Sequence, residues 1–462
     1  MSHWPLTPED ITRPAYRSLA QGIANAIEAG ALRSGDRLPP HRDLAWQLGL
    51  SVQTVSRAYE ELIRADLVTG EVGRGSFVKA RLRETMTTPW HKSTRIQPKY
   101  DLSLMTPVAL AQINEAWSET LHRIAGRLDE TVIYGFRPRQ TASRYANMAA
   151  AWLGRCGLVV GTGRILVTNG MTPAMHVALA TVASPGDVIA TETLTSHTLR
   201  PTAKSLQLQL RGIACDDRGM CPDALVEAAK DAGGQMKAVF LLPSGAGPCA
   251  RIVDADRRAA LADAAVSQGL AILECDPLGP LAARRPPPIA TLAPHHTFYF
   301  TGMTKCLSPG LRIGMLAIPE ARVESAVSHH MSAAWMVTPL MAEIAKDWIE
   351  TGTIDHLLAA QRSELVARNR LAESILGTKS LGARHGLHRW VMLPEGMDEA
   401  TFQRDVLAQG VALAAGSGFF VSNPRPAIRL CLGGVARRDL EAALTIVSRL
   451  LPRQGGVQMP SG

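Results

Sequence analysis

The first eighty residues carry a helical rhythm that breaks off at glycines and prolines. Ala15, Leu19, Ile23 and Ile27 recur every four positions, so residues 14–29 predict an amphipathic helix, closed by Gly30 and Gly35. Pro39 and Pro40 open a shorter helix through Leu48, with Leu44, Ala45 and Leu48 inward, and Gly49 makes a turn. Ser51 suits the N-cap of a third helix running to about Ala65, whose Val55, Tyr59 and Leu62 share one face. Residues 67–78 form two short strand-like runs around glycines, a hairpin. Three helices and a hairpin, with a tight turn between helices two and three, predict a winged helix-turn-helix.

The texture changes near residue 100. Continuous apolar runs at 164–168, 188–190, 238–242, 270–274 and 297–300 alternate with alanine-rich helical segments, the pattern of an α/β unit with a mainly parallel sheet. A last segment, about 346–455, holds a long helix and then runs at 389–393 and 427–431, and reads as a smaller α/β subdomain. Residues 81–99 are polar and aperiodic. The expected organisation is a DNA-binding module over 1–80, a basic linker over 81–99, and a large α/β unit over 100–462.

Composition narrows the class. With 462 residues, 46% hydrophobic and 19% charged, the chain is globular and long enough for two or three domains. It has no apolar run that would span a bilayer and no signal-peptide pattern, and its seven cysteines all lie beyond residue 150 without Cys-x-x-Cys spacing. A cytoplasmic protein with reduced thiols, no disulfides and no metal site is expected. The net charge is +8, yet residues 1–80 balance nine basic against nine acidic side chains. Half of the excess appears in the linker, where Arg81, Arg83, Lys92, Arg95 and Lys99 face only Glu84. Bulk charge therefore does not argue for DNA; the positions of individual side chains do.

In a helix-turn-helix the N-terminal turn of the recognition helix enters the major groove. Here it offers Ser51, Gln53 and Thr54, with Val52 between them and Arg57 behind. Gln bonds adenine through two contacts, and Ser and Thr reach bases or phosphates. Arg42 in the preceding helix suits a backbone phosphate, and Arg74 between two glycines suits a wing tip. The segments 32–45, 51–62 and 70–77 resemble the GntR family of bacterial regulators, with Val52 where members often carry arginine. The resemblance implies binding to paired DNA half-sites.

The second chemistry centres on Lys305, behind the apolar run 297–300, with Arg312 seven residues on. A lysine and an arginine so placed meet two needs of pyridoxal 5'-phosphate (PLP): a Schiff-base amine and a phosphate anchor. Gly170, Met171 and Thr172 follow a strand and open a helix, where backbone N–H groups cradle phosphate. Asp276 ends the run from Leu270 and is the expected partner of the pyridine nitrogen; alone, it reads equally well as a helix cap. From about 100 to 452 the chain resembles fold-type I aminotransferases, and joined to the GntR-like module it resembles MocR-type regulators. That resemblance implies that Arg429 binds an effector carboxylate, that Thr304 supplies a phosphate hydroxyl, and that Tyr134 reaches the phosphate in the partner subunit of a homodimer.

Several positions depart from the aminotransferase pattern. Ser196-His197 stands where an aromatic ring covers the cofactor, Leu278 and Gly247 replace two partners of its 3'-oxygen, Gly302 removes a phosphate hydroxyl, and Arg139 replaces a glycine. The expectation is a DNA-binding transcriptional regulator that senses PLP, or an amine or amino acid reacting with it, through a degenerate aminotransferase-like unit with weak or no turnover. An active aminotransferase with a DNA-binding module, and a regulator that has exchanged PLP for another metabolite, both stay open.

Overall fold

The computed structural model describes residues 4, 6–28, 32, 36–64, 67–71, 75–78, 98–282, 284–377, 380–394 and 396–451. The chain divides into two compact units, Met1–Ser93 and Thr94–Gly462.

In the first unit, helices α1 (Ala15–Glu28), α2 (His41–Leu48) and α3 (Val52–Arg64) precede an antiparallel hairpin of β1 (Val68–Glu71) and β2 (Gly75–Val78). Leu19 and Ile23 from α1, Leu44 from α2, and Val55 and Tyr59 from α3 are buried together. The turn between α2 and α3 is possible because Gly49 takes φ +65°, where a side chain would be strained. Ser51 starts α3 by accepting the Thr54 N–H at 3.1 Å. Ser51→Ala should therefore cost about 1 kcal/mol of this unit's stability, readable in its thermal midpoint. The wing is tied back by segment 36–38: Leu38 N–H donates to Ser76 at 2.9 Å, and Arg37 bridges to Phe77.

The second unit runs β3 (Tyr100–Leu102), α4 (Ala111–Ala125), α5 (Glu130–Ile133), α6 (Pro138–Arg155), β4 (Ile165–Thr168), α7 (Met171–Val182), β5 (Val188–Glu192), α8 (Leu199–Ser205), β6 (Gln209–Ile213), β7 (Cys215–Asp216), β8 (Gly219–Met220), α9 (Pro222–Asp231), β9 (Met236–Leu241), α10 (Ala255–Ser267), β10 (Ala271–Asp276), β11 (Thr297–Gly302), β12 (Gly314–Ala317), α11 (Val323–Ala334), α12 (Pro339–Glu350), α13 (Thr353–Leu376), β13 (Ser380–Leu381), β14 (His388–Met392), α14 (Glu399–Ala408), β15 (Val411–Ala415), β16 (Ala427–Cys431) and α15 (Arg437–Leu450). Seven strands form one sheet in the order β4-β12-β11-β10-β9-β5-β6, in which β12 alone runs against the rest. Apart from the edge strand β6, its strands are buried on both faces, which is why they read as unbroken apolar runs. One face packs on α7 through Met175, Leu273, Cys275 and Phe300; the other meets α6 through Trp152 and Tyr299.

A second sheet has the order β13-β14-β16-β15-β3. Its edge strand β3 comes from the start of the unit and pairs in parallel with β15, Leu102 opposite Leu413. The smaller subdomain is thus not confined to the C-terminal segment. Residue 346 also falls inside α12, whose Ile344 and Trp348 are buried in the large core. The helix α13 spans the two cores, with Leu357 and Leu365 in the larger and Ala372 and Leu376 in the smaller.

Candidate functional site

The exposed start of α3 carries Val52 and Gln53, and Arg42 lies exposed on α2. Ser51 and Thr54 are not simply free to contact DNA: their hydroxyls bond each other at 2.8 Å and cap the helix. Arg57 stacks on the Tyr16 ring of α1, 4.0 Å from its centroid, which fixes the guanidinium at the surface. The sequence did not single out Tyr16; only the α1–α3 packing brings it there. Trp46 is 86% exposed on α2, a large apolar side chain with no core role. Arg74, expected at the wing tip, lies outside the described residues.

In the second unit, three cationic side chains approach one another. Lys305 follows β11 and donates its ammonium to the Met105 carbonyl. Arg429, in the middle of β16, is buried; it donates to the Ser103 carbonyl at 3.0 Å and lies 4.8 Å from the centre of the Phe419 ring. Its Nε has no partner, and neither does the buried hydroxyl of Thr304 next to Lys305. Among the described residues, Lys305, Arg312 and Arg429 make no ion pair with a carboxylate. Burial, with Arg429 and then Arg312 adding repulsion, pulls the Lys305 amine down to about 8 from the ordinary 10.5.

Arg312 ends a short turn in the left-handed region, φ +48°. Its guanidinium packs on Gly170, the N-cap of α7, and donates to the Asn169 carbonyl at 3.3 Å. Gly170 has φ +97°, and a Cβ there would lie 2.8 Å from the guanidinium. The first N–H groups of α7, from Met171 and Thr172, thus share an edge with a fixed arginine, a built anion cradle.

The departures from the aminotransferase pattern are structural as well as chemical. His197 is half-buried, its ring edge-on to Phe419 at 5.5 Å, and desolvation followed by Arg429 and Lys305 holds it down at about 3, so it is neutral. It thus packs on Phe419, the same ring that Arg429 covers. His388 is likewise held near about 4, first by burial and then by Arg429, while donating to the Pro248 carbonyl at 2.9 Å. Leu278 is buried in the core beneath the sheet. At Gly302 a Cβ would meet the Ile313 carbonyl at 2.8 Å and Met171 at 2.9 Å, so no hydroxyl-bearing residue fits there. Arg139 is exposed on the first turn of α6, and Tyr134 is 79% exposed beside Ile133 and Phe136.

Asp276, expected at the pyridine nitrogen, is committed elsewhere. It accepts the Gly279 N–H at 3.0 Å, the Tyr299 hydroxyl at 2.5 Å and the Arg285 guanidinium. Arg285 also donates to the Cys156 carbonyl at 2.9 Å. These partners lie on the α6 side of the sheet.

The lysine, the arginine cradle, the orphaned Thr304 hydroxyl and the buried Arg429 fit the phosphate, aldehyde and carboxylate needs of a PLP site. The ring-facing positions fit less well. Gly170→Ala should weaken PLP binding by at least several-fold in a spectroscopic titration, because it both strains the backbone and displaces Arg312.

Comparison with known proteins agrees with both halves. Residues 15–78 match the family of bacterial regulatory proteins, gntR family. The chain is 28% identical to the uncharacterized HTH-type transcriptional regulator YdeF of Bacillus subtilis, over 97% of this chain and 96% of that one. It is 24% identical to the vitamin B6 salvage pathway transcriptional repressor PtsJ of Salmonella typhimurium, over 93% and 97% of the two chains. In fold it resembles the kynurenine aminotransferase of Pyrococcus horikoshii, with TM-score 0.69 and 20% identity over 78% of this chain and 91% of that one. No helix among the described residues is long and apolar enough to cross a membrane.

Proposed function

Starting from what this build shows, a GntR winged helix joined to a fold-type I aminotransferase-like unit in the MocR arrangement, we propose that the protein regulates transcription in response to PLP, or to an amine or amino acid that meets it. The observation that carries this reading is the convergence of Lys305, Arg312 and Arg429 without a carboxylate among their described partners. Such a site is built for an anion with a carbonyl, and its desolvated amine is nucleophilic near neutral pH.

In this reading PLP, when bound, supplies an aldehyde that a primary amine can take. Lys305 provides the competing amine. Gly170, Met171, Thr172, Thr304 and Arg312 hold the phosphate, and Arg429 orients an effector carboxylate. A neutral His197 and a buried Leu278 offer less polar support to the ring than an efficient transaminase needs, so turnover is weak or absent. The relationship to a vitamin B6 salvage repressor supports a B6 compound as the signal. Residues 1–80 bind DNA, 81–99 tether, and 100–462 sense. Two chains pair in the cytoplasm, Tyr134 reaching the partner's phosphate site, as the exposed apolar run from Ile133 to Phe136 supports. Arg42, Ser51, Gln53, Thr54, Arg57 and Arg74 meet paired half-sites.

A gel-shift titration on DNA upstream of the protein's own gene tests this. Sequence-specific binding that changes with PLP is the expected result, and no binding to any neighbouring promoter sinks the reading. Gln53→Ala should cost about 1–3 kcal/mol in specific binding and little in non-specific binding.

A further inference from the structure

We propose that this pocket takes the pyridine ring of PLP with no carboxylate at the ring nitrogen, the thiol of Cys275 standing in that place, so that the site binds the cofactor without turning it into an electron sink. The inference rests on the cofactor reading and sharpens it into a site for sensing.

Strand parity carries the argument. Successive side chains of β10 point to opposite faces of the sheet. Asp276 shares the α6 face with Tyr299, which donates to it at 2.5 Å. Cys275 lies on the opposite face, in the cluster with Met175 of α7 and Phe300, and partly buried Met171 packs against that cluster. α7 is the helix whose first turn makes the anion cradle with Arg312, so Cys275 ends the strand on the cradle's side. Exposure agrees: Cys275 keeps 7% of its surface accessible, while Asp276 keeps 0%. A group that met a ligand ring would line open space, and Asp276 does not.

Charge points the same way. The Asp276 carboxylate is neutralised by the buried Arg285 guanidinium. Burial pushes the Cys275 thiol well above its usual range, with Asp276 and Glu274 adding to it, so it stays uncharged. A pyridinium here would be a further cation beside Lys305, Arg312 and Arg429, and the two carboxylates that act on Cys275 are already paired, Asp276 with Arg285 and Glu274 with Arg258. Without a protonated ring nitrogen, the ring withdraws charge poorly from the carbon next to the amine. Retention of the lysine and loss of the ring partner are therefore compatible in a protein that reads amine occupancy rather than catalysing transfer.

The test uses the full chain loaded with PLP labelled with nitrogen-15 in the ring. The expected nitrogen signal near neutral pH is that of neutral pyridine, and Cys275→Asp moves it to the pyridinium position while Cys275→Ser leaves it unchanged. A pyridinium signal in the wild type overturns the inference, whether or not the aspartate variant folds. Absence of any visible cofactor band in the wild type overturns the cofactor reading and this inference together.

Discussion

Lys305→Ala is expected to abolish the visible absorption band that PLP would gain on joining this lysine, and with it any PLP dependence of DNA binding. Among the described residues, the cationic groups that act on Lys305 are Arg429 and Arg312. The loss should be complete rather than graded. Lys305→Arg keeps the charge without the nucleophile, and should lose the band while retaining anion affinity. The pH dependence follows from the sign of the shift. Only the neutral amine attacks an aldehyde, and burial has lowered its pKa from 10.5 to about 8. Capture in the wild type should therefore rise with pH through about 8 and level off above it, not continue to rise toward 10.5. Stopped-flow absorbance across that range checks the midpoint; a profile still climbing above 9.5, roughly, would contradict the desolvated setting of the amine. Removing this half-buried amine leaves no charge unpaired, only the Met105 carbonyl without its donor, so the alanine variant should still fold.

Arg285→Ala has the opposite character: little direct chemistry, large loss of stability. Arg285 and Asp276 form an ion pair in which the aspartate has no accessible surface. Deleting the arginine leaves a carboxylate buried with only a hydroxyl and one N–H for company, at a cost of about 3–5 kcal/mol. The expected readout is an early shift of the urea midpoint reported by the buried tryptophans 152, 348 and 390, all of which lie in the second unit. The double variant Arg285→Met with Asp276→Leu should recover much of that loss, since it removes both charges. If Arg285→Ala leaves the midpoint unchanged, the pair is not the internal anchor described above.

Much of this architecture was legible in the chain because it is written in local periodicity. The stripe from Ala15 to Ile27, the Ser51 cap and Gly49 depend on neighbours within a turn or two, and each finds its element. Lys305 and Arg312 were legible for a similar reason: a buried strand, a turn and seven residues fix their separation. Which residue at the end of β10 faces the α7 side was not. The run from Leu270 to Asp276 is buried on both faces, so it has no alternation of apolar and polar positions to tell one face from the other. An aspartate at the strand's end was the natural choice by chemistry, and only the positions of Tyr299 and Arg285 reveal which way it points. The place of β3 was hidden by distance, since residues 100–102 pair with residues 411–413. Tyr16 beneath Arg57 was hidden because cation–ring contacts between helices leave no periodic trace.

The edge strand β3 carries one more implication. Just beyond it, the carbonyls of Ser103 and Met105 receive Arg429 and Lys305. These residues belong to the first described stretch of chain after the linker. A carboxylate that engages Arg429, or an aldehyde that engages Lys305, competes with that stretch for the same two side chains. Under the proposed reading, ligand occupancy would release the Ser103 and Met105 carbonyls from these two side chains, and so loosen the mooring of the chain at the start of the second unit.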